Sequence, residues 1–359
     1  MTTLGNILIR GVNWLGDAIM ALPAMDRLRE AHPTARLTLL SHTKLTGLWE
    51  GTSHFDEVIP FEQGESPLSI GRRLRGGGFD VALILPNSPR SALECLHARI
   101  GRRVGFAGNW RQWLLTEVVE PPLGAVQMVK RPHPDIHRRI AAGEVSERFP
   151  ANAHQVHLYL HLAKQLGASD ELCKPKLQCV EPKYTEGARP RVGFVCGAEH
   201  GPAKRWSVAN FIETGSRLIE QFQARIILVG GRGDVAATAE IASGLPPERT
   251  LDLAGKTSLA ELATTLASCD VVLANDTGPM HVASAVGTPV VGIFGSTSPD
   301  LTAPGLPGEG THQLLRTSAP CSPCYLKHCP VDLRCLNEIT PAQAVEAVGR
   351  ILDHRTDDG

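Results

Sequence analysis

The sequence predicts an α/β protein built of two Rossmann-like, doubly wound parallel-sheet domains. Three observations carry this. Short apolar runs alternate with helical segments through residues 1–180, and strands joined by helical crossovers pair in parallel. Residues 174–190 interrupt the pattern with Pro175, Pro182, Gly187 and Pro190 among several charges, the composition of a linker. From residue 191 the alternation begins again. The division is therefore an N-terminal domain over 1–180 and a C-terminal domain over 181–359, facing a cleft. The final helix is free to pack back on the first domain.

In chain order, residues 6–10 and 37–41 are apolar runs that read as buried strands. A helix over 18–31 joins them. A short helix over 44–49, a short strand over 58–60, a helix over 68–74, a strand over 81–85 and a helix over 91–99 follow. Residues 119–150 are rich in Pro, His and Arg, have little periodicity, and read as loops near a binding surface. A helix over 154–166 precedes the linker. The second half offers strands at 191–196, 224–229, 250–253, 270–274 and 289–294. Helices at 208–221, 236–243, 259–268 and 279–286 separate them, and a last helix spans 343–352.

The chain has 359 residues, 42% hydrophobic and 20% charged, as expected of a soluble globular protein. No apolar run reaches the ~18–20 residues of a membrane span. The first residues lead into a strand with no signal-peptide hydrophobic region. A cytoplasmic protein is expected, with peripheral membrane contact left open. A net charge of −1 argues against a general nucleic-acid binder. The halves differ: residues 1–180 carry 21 Lys+Arg and 17 Asp+Glu, a net of +4, while 181–359 carry 15 and 20, a net of −5. Basic clusters at Arg72-Arg73-Leu-Arg75, at Arg102-Arg103 and from Lys130-Arg131 to Arg138-Arg139 are either solvated surface or a face for an anionic partner.

Four constellations carry chemistry. Asn275-Asp-Thr-Gly-Pro-Met-His281 follows an apolar strand and opens a helix, and a second strand nearby ends in Gly295-Ser-Thr-Ser-Pro299. A strand, a small-residue turn and a helix N-terminus make an anion site, because unpaired N–H groups and the helix dipole point at the turn. Thr277 and Gly278 are the donors there. Asp276 either holds the loop or binds a sugar hydroxyl, and His281 is either structural or a ligand contact. Gly197-Ala-Glu-His-Gly-Pro-Ala-Lys-Arg-Trp206 follows the first strand of the second half, where Lys204 can neutralise a diphosphate as a mobile point charge. Trp206 offers its face to the core or to a base. Arg10-Gly-Val-Asn-Trp-Leu-Gly-Asp17 follows the first strand. Asp17 is either a helix N-cap or a carboxylate able to take a proton from a substrate hydroxyl. Leu85-Pro-Asn-Ser-Pro-Arg-Ser91 lies at a strand's carboxyl end, where ligands bind in open α/β sheets. Neither Gly-x-Gly-x-x-Gly nor a Walker-type loop occurs, which weakens dehydrogenase and P-loop readings.

Nine cysteines are present. Cys95, Cys173, Cys179, Cys196 and Cys269 are scattered beside apolar segments and read as reduced thiols. Cys321, Cys324, Cys329 and Cys335 form Cys-x2-Cys-x4-Cys-x5-Cys. The preferred reading is a reduced or partly disulfide-linked structural loop. Zn²⁺, an Fe–S cluster and a redox switch stay open.

Together these motifs resemble glycosyltransferase family 9, the ADP-heptose-dependent lipopolysaccharide heptosyltransferases. The matching blocks are Trp14-Leu-Gly-Asp17, Leu85-Pro-Asn-Ser88 with Ser91-Ala-Leu93, Gly197 to Trp206, and Asn275 to His281 with Ser296 to Pro299. The resemblance implies a GT-B fold and a one-step, inverting transfer of L-glycero-D-manno-heptose from ADP-heptose to the lipopolysaccharide inner core, as the second heptose on heptosyl-Kdo2-lipid A. It implies Asp17 as general base. Lys204, Arg205, Asp234, Asp276, Thr277, Gly278 and His281 would hold the donor, and Asn13, Trp14, Asn87, Ser88 and Arg90 the acceptor. No cofactor is required under this reading, although divalent-cation stimulation is compatible with it. The partners are ADP-heptose, a phosphorylated lipid-linked acceptor and, peripherally, the cytoplasmic face of the inner membrane. Two alternatives stand beside it: a nonhydrolysing sugar-nucleotide epimerase, and a non-enzymatic metal-binding or membrane-surface scaffold with a relic nucleotide site.

Overall fold

A computed structural model describes residues 4–177, 181–184 and 190–357. Cys179 and part of the 174–190 segment lie outside the described residues. Two compact units are present: Met1–Ala125 with Gln155–Cys179, and Val126–His154 with Val180–Gly359.

The first unit holds six strands: β1 (Asn6–Arg10), β2 (Arg36–His42), β3 (Glu57–Phe61), β4 (Val81–Ile84), β5 (Arg102–Phe106) and β6 (Glu117–Val119). They pair in the order β3-β2-β1-β4-β5-β6, every pair parallel. The register sets Asn6 opposite Arg36 and Ile7 opposite Val81. Ile7, Leu8 and Ile9 are fully buried, as a central parallel strand covered on both faces requires.

The second unit repeats the plan with β7 (Arg191–Val195), β8 (Arg225–Val229), β9 (Thr250–Asp252), β10 (Val271–Asn275), β11 (Val290–Phe294) and β12 (Gln313–Arg316). The order is β12-β11-β10-β7-β8-β9, again all parallel. In each sheet the chain starts in the middle, winds outward one way, then crosses back and winds the other. The reversal falls between β1 and β4 in one sheet and between β7 and β10 in the other. Loops leaving those strands at their carboxyl ends diverge and leave a crevice.

Several details depart from the sequence reading. The predicted helix over 18–31 is two helices, Leu15–Met20 and Leu22–Ala31, because Pro23 starts a second helix just after the turn at Ala21. Strands β5, β6 and β12 were not foreseen; they are short, lie toward the sheet edges and carry exposed or polar positions instead of a continuous apolar run. Residues 119–150 are not all loop. His133–Ala141 is helical, with Pro134 in its first turn and Asp135 paired to Arg131 and Arg138.

The segment 126–154 groups with the second unit. Arg131 Nε donates to Pro323 O at 3.2 Å, Arg139 Nε to Pro320 O at 2.8 Å, and Glu147 N to Ser322 O at 3.1 Å. A division at 180 would cut through these contacts, which lie within the second unit. The final helix, Pro341–Asp357, packs within the second unit on the helix Val208–Phe222 and on β10 and β11.

Candidate functional site

In the second unit, the residues after four neighbouring strands line one edge of the sheet. Asp234 follows β8, Lys204 and Arg205 follow β7, Asp276 and Thr277 follow β10, and Ser296 and Thr297 follow β11. The centre is an ion pair, with Lys204 Nζ 2.7 Å from Asp276 Oδ2. Thr297 Oγ1 donates to the same carboxylate oxygen at 2.6 Å. Burial opposes the Asp276 charge, yet the Lys204 ammonium and the Thr297 hydroxyl outweigh it and hold the carboxyl below its ordinary value. His281 is buried beside it. Loss of solvent pushes its imidazole down to about 4, against the pull of Asp276, so the ring is neutral near pH 7.

Local structure fixes this geometry. Asn275 Nδ2 donates to Cys196 O at 2.6 Å, and its Oδ1 accepts from Trp206 N at 3.1 Å, so one side chain ties both ends of the 197–206 loop. Trp206 is buried; its indole N–H donates to Ile339 O at 2.9 Å and its ring meets Phe211 edge-on at 5.2 Å. Trp206 thus belongs to the core and does not face a ligand. Thr277 caps the helix Gly278–Ala285 through its backbone only; its hydroxyl makes no cap bond. Asp234 Oδ2 accepts from Gly231 N at 3.0 Å. A Cβ on Gly197 would come within 2.3 Å of the Asp234 carboxyl, so glycine there lets that side chain lie over the end of β7. Arg205 Nη2 is 3.8 Å from Asp234 Oδ1.

Three further side chains escaped the sequence reading. His200 Nε2, Ser296 Oγ and Tyr325 OH are buried without a protein partner. Tyr325 N donates to Ser296 O at 2.9 Å, and the His200 imidazole hydrogen-bonds the Tyr325 backbone. Lys204 acts electrostatically on His200, and Asp276 on Tyr325. Burial pushes the Tyr325 phenol well above its ordinary value, so it stays a donor near neutral pH. Orphaned buried polar atoms cost about 1–3 kcal/mol each, and a cluster of them beside an ion pair is hydrogen-bonding capacity that a polar ligand can fill.

In the first unit, Asn13, Trp14 and Asp17 follow β1, while Asn87, Ser88 and Arg90 follow the neighbouring β4. Asp17 is not the N-cap; Trp14 holds that position, and Asp17 lies in the first turn of Leu15–Met20. Tyr159, from the helix Gln155–Lys164, donates its hydroxyl to Asp17 Oδ1 at 3.2 Å. Burial first, then Asp17 itself, pushes the phenol well above its ordinary value, so it too remains a donor. Trp14 is half exposed, with Lys44 Nζ 4.7 Å from its ring centroid.

Other predicted acceptor residues have structural duties. Asn13 Oδ1 accepts from Arg10 Nη1 at 2.9 Å. Ser88 Oγ caps the helix Pro89–His97 by accepting from Ser91 N at 3.2 Å. Arg90 Nε donates to Glu94 Oε1 at 3.3 Å. Asn87 O accepts from Asn109 Nδ2 at 2.6 Å.

The cysteine loop adjoins the second site: Cys324 N donates to Ser296 O at 3.0 Å, and Ser322 Oγ to Gly295 O at 2.7 Å. Cys321, Cys324, Cys329 and Cys335 are free thiols, as are Cys95, Cys173, Cys196 and Cys269. No bond joins any two of the four loop cysteines among the described residues. Among the described residues, no three His, Cys, Asp or Glu side chains converge as a metal site would.

Comparison with known proteins adds the following. Residues 68–333 match the family described as Glycosyltransferase family 9 (heptosyltransferase). Lipopolysaccharide heptosyltransferase 2 of Escherichia coli K12 is 32% identical over 315 residues, 83% of this chain and 85% of that one. Lipooligosaccharide heptosyltransferase 2 of Haemophilus influenzae is 31% identical over 312 residues, 83% of this chain and 86% of that one. The solved structure of E. coli ADP-heptose lipopolysaccharide heptosyltransferase II superposes with a TM-score of 0.76 at 28% identity, over 98% of this chain and 99% of that one.

Proposed function

The chain belongs to glycosyltransferase family 9, and from that premise we propose how its residues divide the work of heptosyl transfer. It is a heptosyltransferase of lipopolysaccharide core assembly with the GT-B fold. The donor is a sugar nucleotide, ADP-heptose, and the acceptor is the lipid-linked inner core, on which it sets the second heptose. The acceptor's lipid anchor would keep the enzyme at the cytoplasmic face of the inner membrane.

The observation that carries this assignment of roles is the Lys204–Asp276 pair at the strand-order reversal of the second sheet. A diphosphate needs a cation it can share and N–H or O–H donors around it. Lys204 supplies the cation and Asp276 holds it in place. Thr277, Gly278, Ser296 and Tyr325 supply donors. Asp234, at the end of β8, is set to bind ribose hydroxyls.

The reaction is one displacement. The acceptor hydroxyl oxygen forms the new bond to the anomeric carbon as the bond to the ADP oxygen breaks, and ADP leaves with the electron pair. Asp17 takes the hydroxyl proton. Attack opposite the leaving group inverts the anomeric centre. Rate comes from holding the hydroxyl near the carbon and from neutralising charge that develops on ADP.

The test is transfer from ADP-heptose to core acceptors truncated at successive sugars, with a donor-only control. A product formed only on the mono-heptosylated core supports the assignment. Product on the heptose-free core would move the enzyme to the first position, and conversion of the donor alone would make it an epimerase.

A further inference from the structure

His200, in the loop after β7, has a buried Nε2 that takes no hydrogen bond among the described residues. The rest of the ring is engaged. Its bond to the Tyr325 backbone favours the protonated imidazole, so a ring N–H donates there to the carbonyl; with Nε2 unpaired, that donor is Nδ1–H. Burial first, then Lys204, outweigh this bond and hold the imidazole below its ordinary value, so the ring is neutral near pH 7. A neutral imidazole with its proton on Nδ1 carries a bare lone pair on Nε2. His200 therefore offers an acceptor beside a cradle made of a cation and donors.

The backbone holds this acceptor in place. Ala203 N donates to Lys327 O at 3.0 Å. Gly201 has φ 151°, and a Cβ there would lie 2.7 Å from the same carbonyl, so glycine lets the two loops touch. The 321–327 loop is fastened in turn to the end of β11. Cys324 N and Tyr325 N donate to Ser296 O at 3.0 and 2.9 Å, and Ser322 Oγ to Gly295 O at 2.7 Å. Tyr325 itself stands in left-handed backbone, φ 55°, which a tyrosine rarely adopts. One strap thus links the loop after β7 to the loop after β11, the strands on either side of β10.

Position narrows the ligand group. Along the sheet edge Asp234 follows β8, Lys204 follows β7, Asp276 follows β10 and Ser296 follows β11. With ribose on Asp234 and the diphosphate on Lys204, the group beyond the diphosphate lies toward β11, the side to which the strap ties His200. Chemistry narrows it further. A diphosphate near pH 7 has acceptor oxygens only and cannot satisfy a bare lone pair, and the N–H and O–H groups of the nucleoside lie at the other end. We propose that His200 Nε2 accepts a hydroxyl hydrogen of the transferred heptose, which makes His200 a sugar-reading residue of the donor site. This rests on the donor-site reading given above. A site built to pair with a hydroxyl rejects a sugar that lacks it, because its own polar atom is then left buried and unpaired.

The experiment compares the dissociation constants of ADP-heptose and of ADP by calorimetric titration of the full chain without acceptor. His200→Asn keeps a side-chain N–H near the position of Nδ1 and removes the distal acceptor. His200→Phe keeps the ring and removes both. Each should raise the constant for ADP-heptose about five- to tenfold and leave that for ADP as in the parent, which also shows that the variants fold. A panel of donors, each deoxygenated at one heptose position, then locates the hydroxyl. One of them should bind the parent about as weakly as ADP-heptose binds His200→Asn, and should bind His200→Asn no worse than ADP-heptose does. An unchanged ratio of the two constants in either variant would overturn the proposal, as would a panel in which no position shows this coupling. Parallel weakening of both ligands would overturn it too, since His200 would then act only by shaping the loop. Failure of the donor-site reading has a different signature: Lys204→Ala would leave both constants unchanged, and the His200 role would fall with it.

Discussion

Lys204 Nζ and Asp276 Oδ2 lie 2.7 Å apart at the carboxyl ends of adjacent strands, nearly withdrawn from solvent. The pair holds a cation in place beside a helix N-terminus before any ligand arrives. Lys204→Ala removes that cation and strands a buried carboxylate. The expected result is at least a tenfold rise in the dissociation constant for ADP-heptose, read by calorimetric titration. An unchanged donor affinity would remove Lys204 from the donor site.

Asp17 and Tyr159 make a different kind of pair, a carboxylate with a buried phenol donating to it at 3.2 Å. If Asp17 is the base, Asp17→Asn should lower kcat by about 10²–10⁴-fold and leave donor binding near that of the parent. Tyr159→Phe keeps the ring and removes the donor, so a several-fold fall in kcat with donor KM unchanged is expected. Steady-state kinetics on both variants decide this; full turnover by Asp17→Asn would end the assignment.

Tyr325 offers a test in which stability and function should move in opposite directions. Its hydroxyl is buried and unpaired in the protein. Tyr325→Phe removes an unsatisfied polar atom, so thermal stability should hold or rise by about 1 kcal/mol. Donor KM should rise several-fold if the hydroxyl serves the diphosphate. A less stable protein with an unaltered KM would show that the hydroxyl has a structural partner instead.

The buried Arg10–Glu94 pair beneath the first site should matter for stability. Arg10 Nε is 2.7 Å from Glu94 Oε2, both side chains are buried, and the guanidinium lies 4.4 Å from the Phe61 ring centroid. Glu94→Gln leaves an uncompensated buried cation, with an expected cost of about 3–5 kcal/mol in urea unfolding. The double variant Arg10→Met, Glu94→Leu should recover much of that loss. No recovery would mean that the pair carries specific structure beyond charge balance.

Much of this was legible in the sequence because the information is local. The apolar runs of β1, β7 and β10 and the small-residue loops after them lie within a few residues of each other, and they put Asp17, Lys204 and Asp276 just beyond the ends of those strands. What escaped is remote or weakly patterned. Tyr159 reaches Asp17 across 142 positions, and Glu94 reaches Arg10 across 84. Strand β6 has three residues and carries no continuous apolar run. The capping bond that Ser88 Oγ accepts from Ser91 N is likewise invisible in the sequence, where a cap and a binding serine have the same one-letter appearance.

His281 yields a pH prediction whose sign follows from its burial. The imidazole titrates near 6.5 when unfolded and at about 4 when folded. Above pH 6.5 both states are neutral and the residue adds no pH dependence. As pH falls below 6.5 the unfolded chain takes up a proton that the folded one refuses, so stability drops until about pH 4, where the folded ring also protonates. Between pH 7 and pH 5 this amounts to about 2 kcal/mol. His281→Gln cannot take up that proton in either state. Urea unfolding at the two pH values should therefore show a smaller loss in the variant than in the parent, by roughly that amount. Equal losses in both proteins would mean that the folded imidazole already protonates near its ordinary value, with Asp276 offsetting its burial.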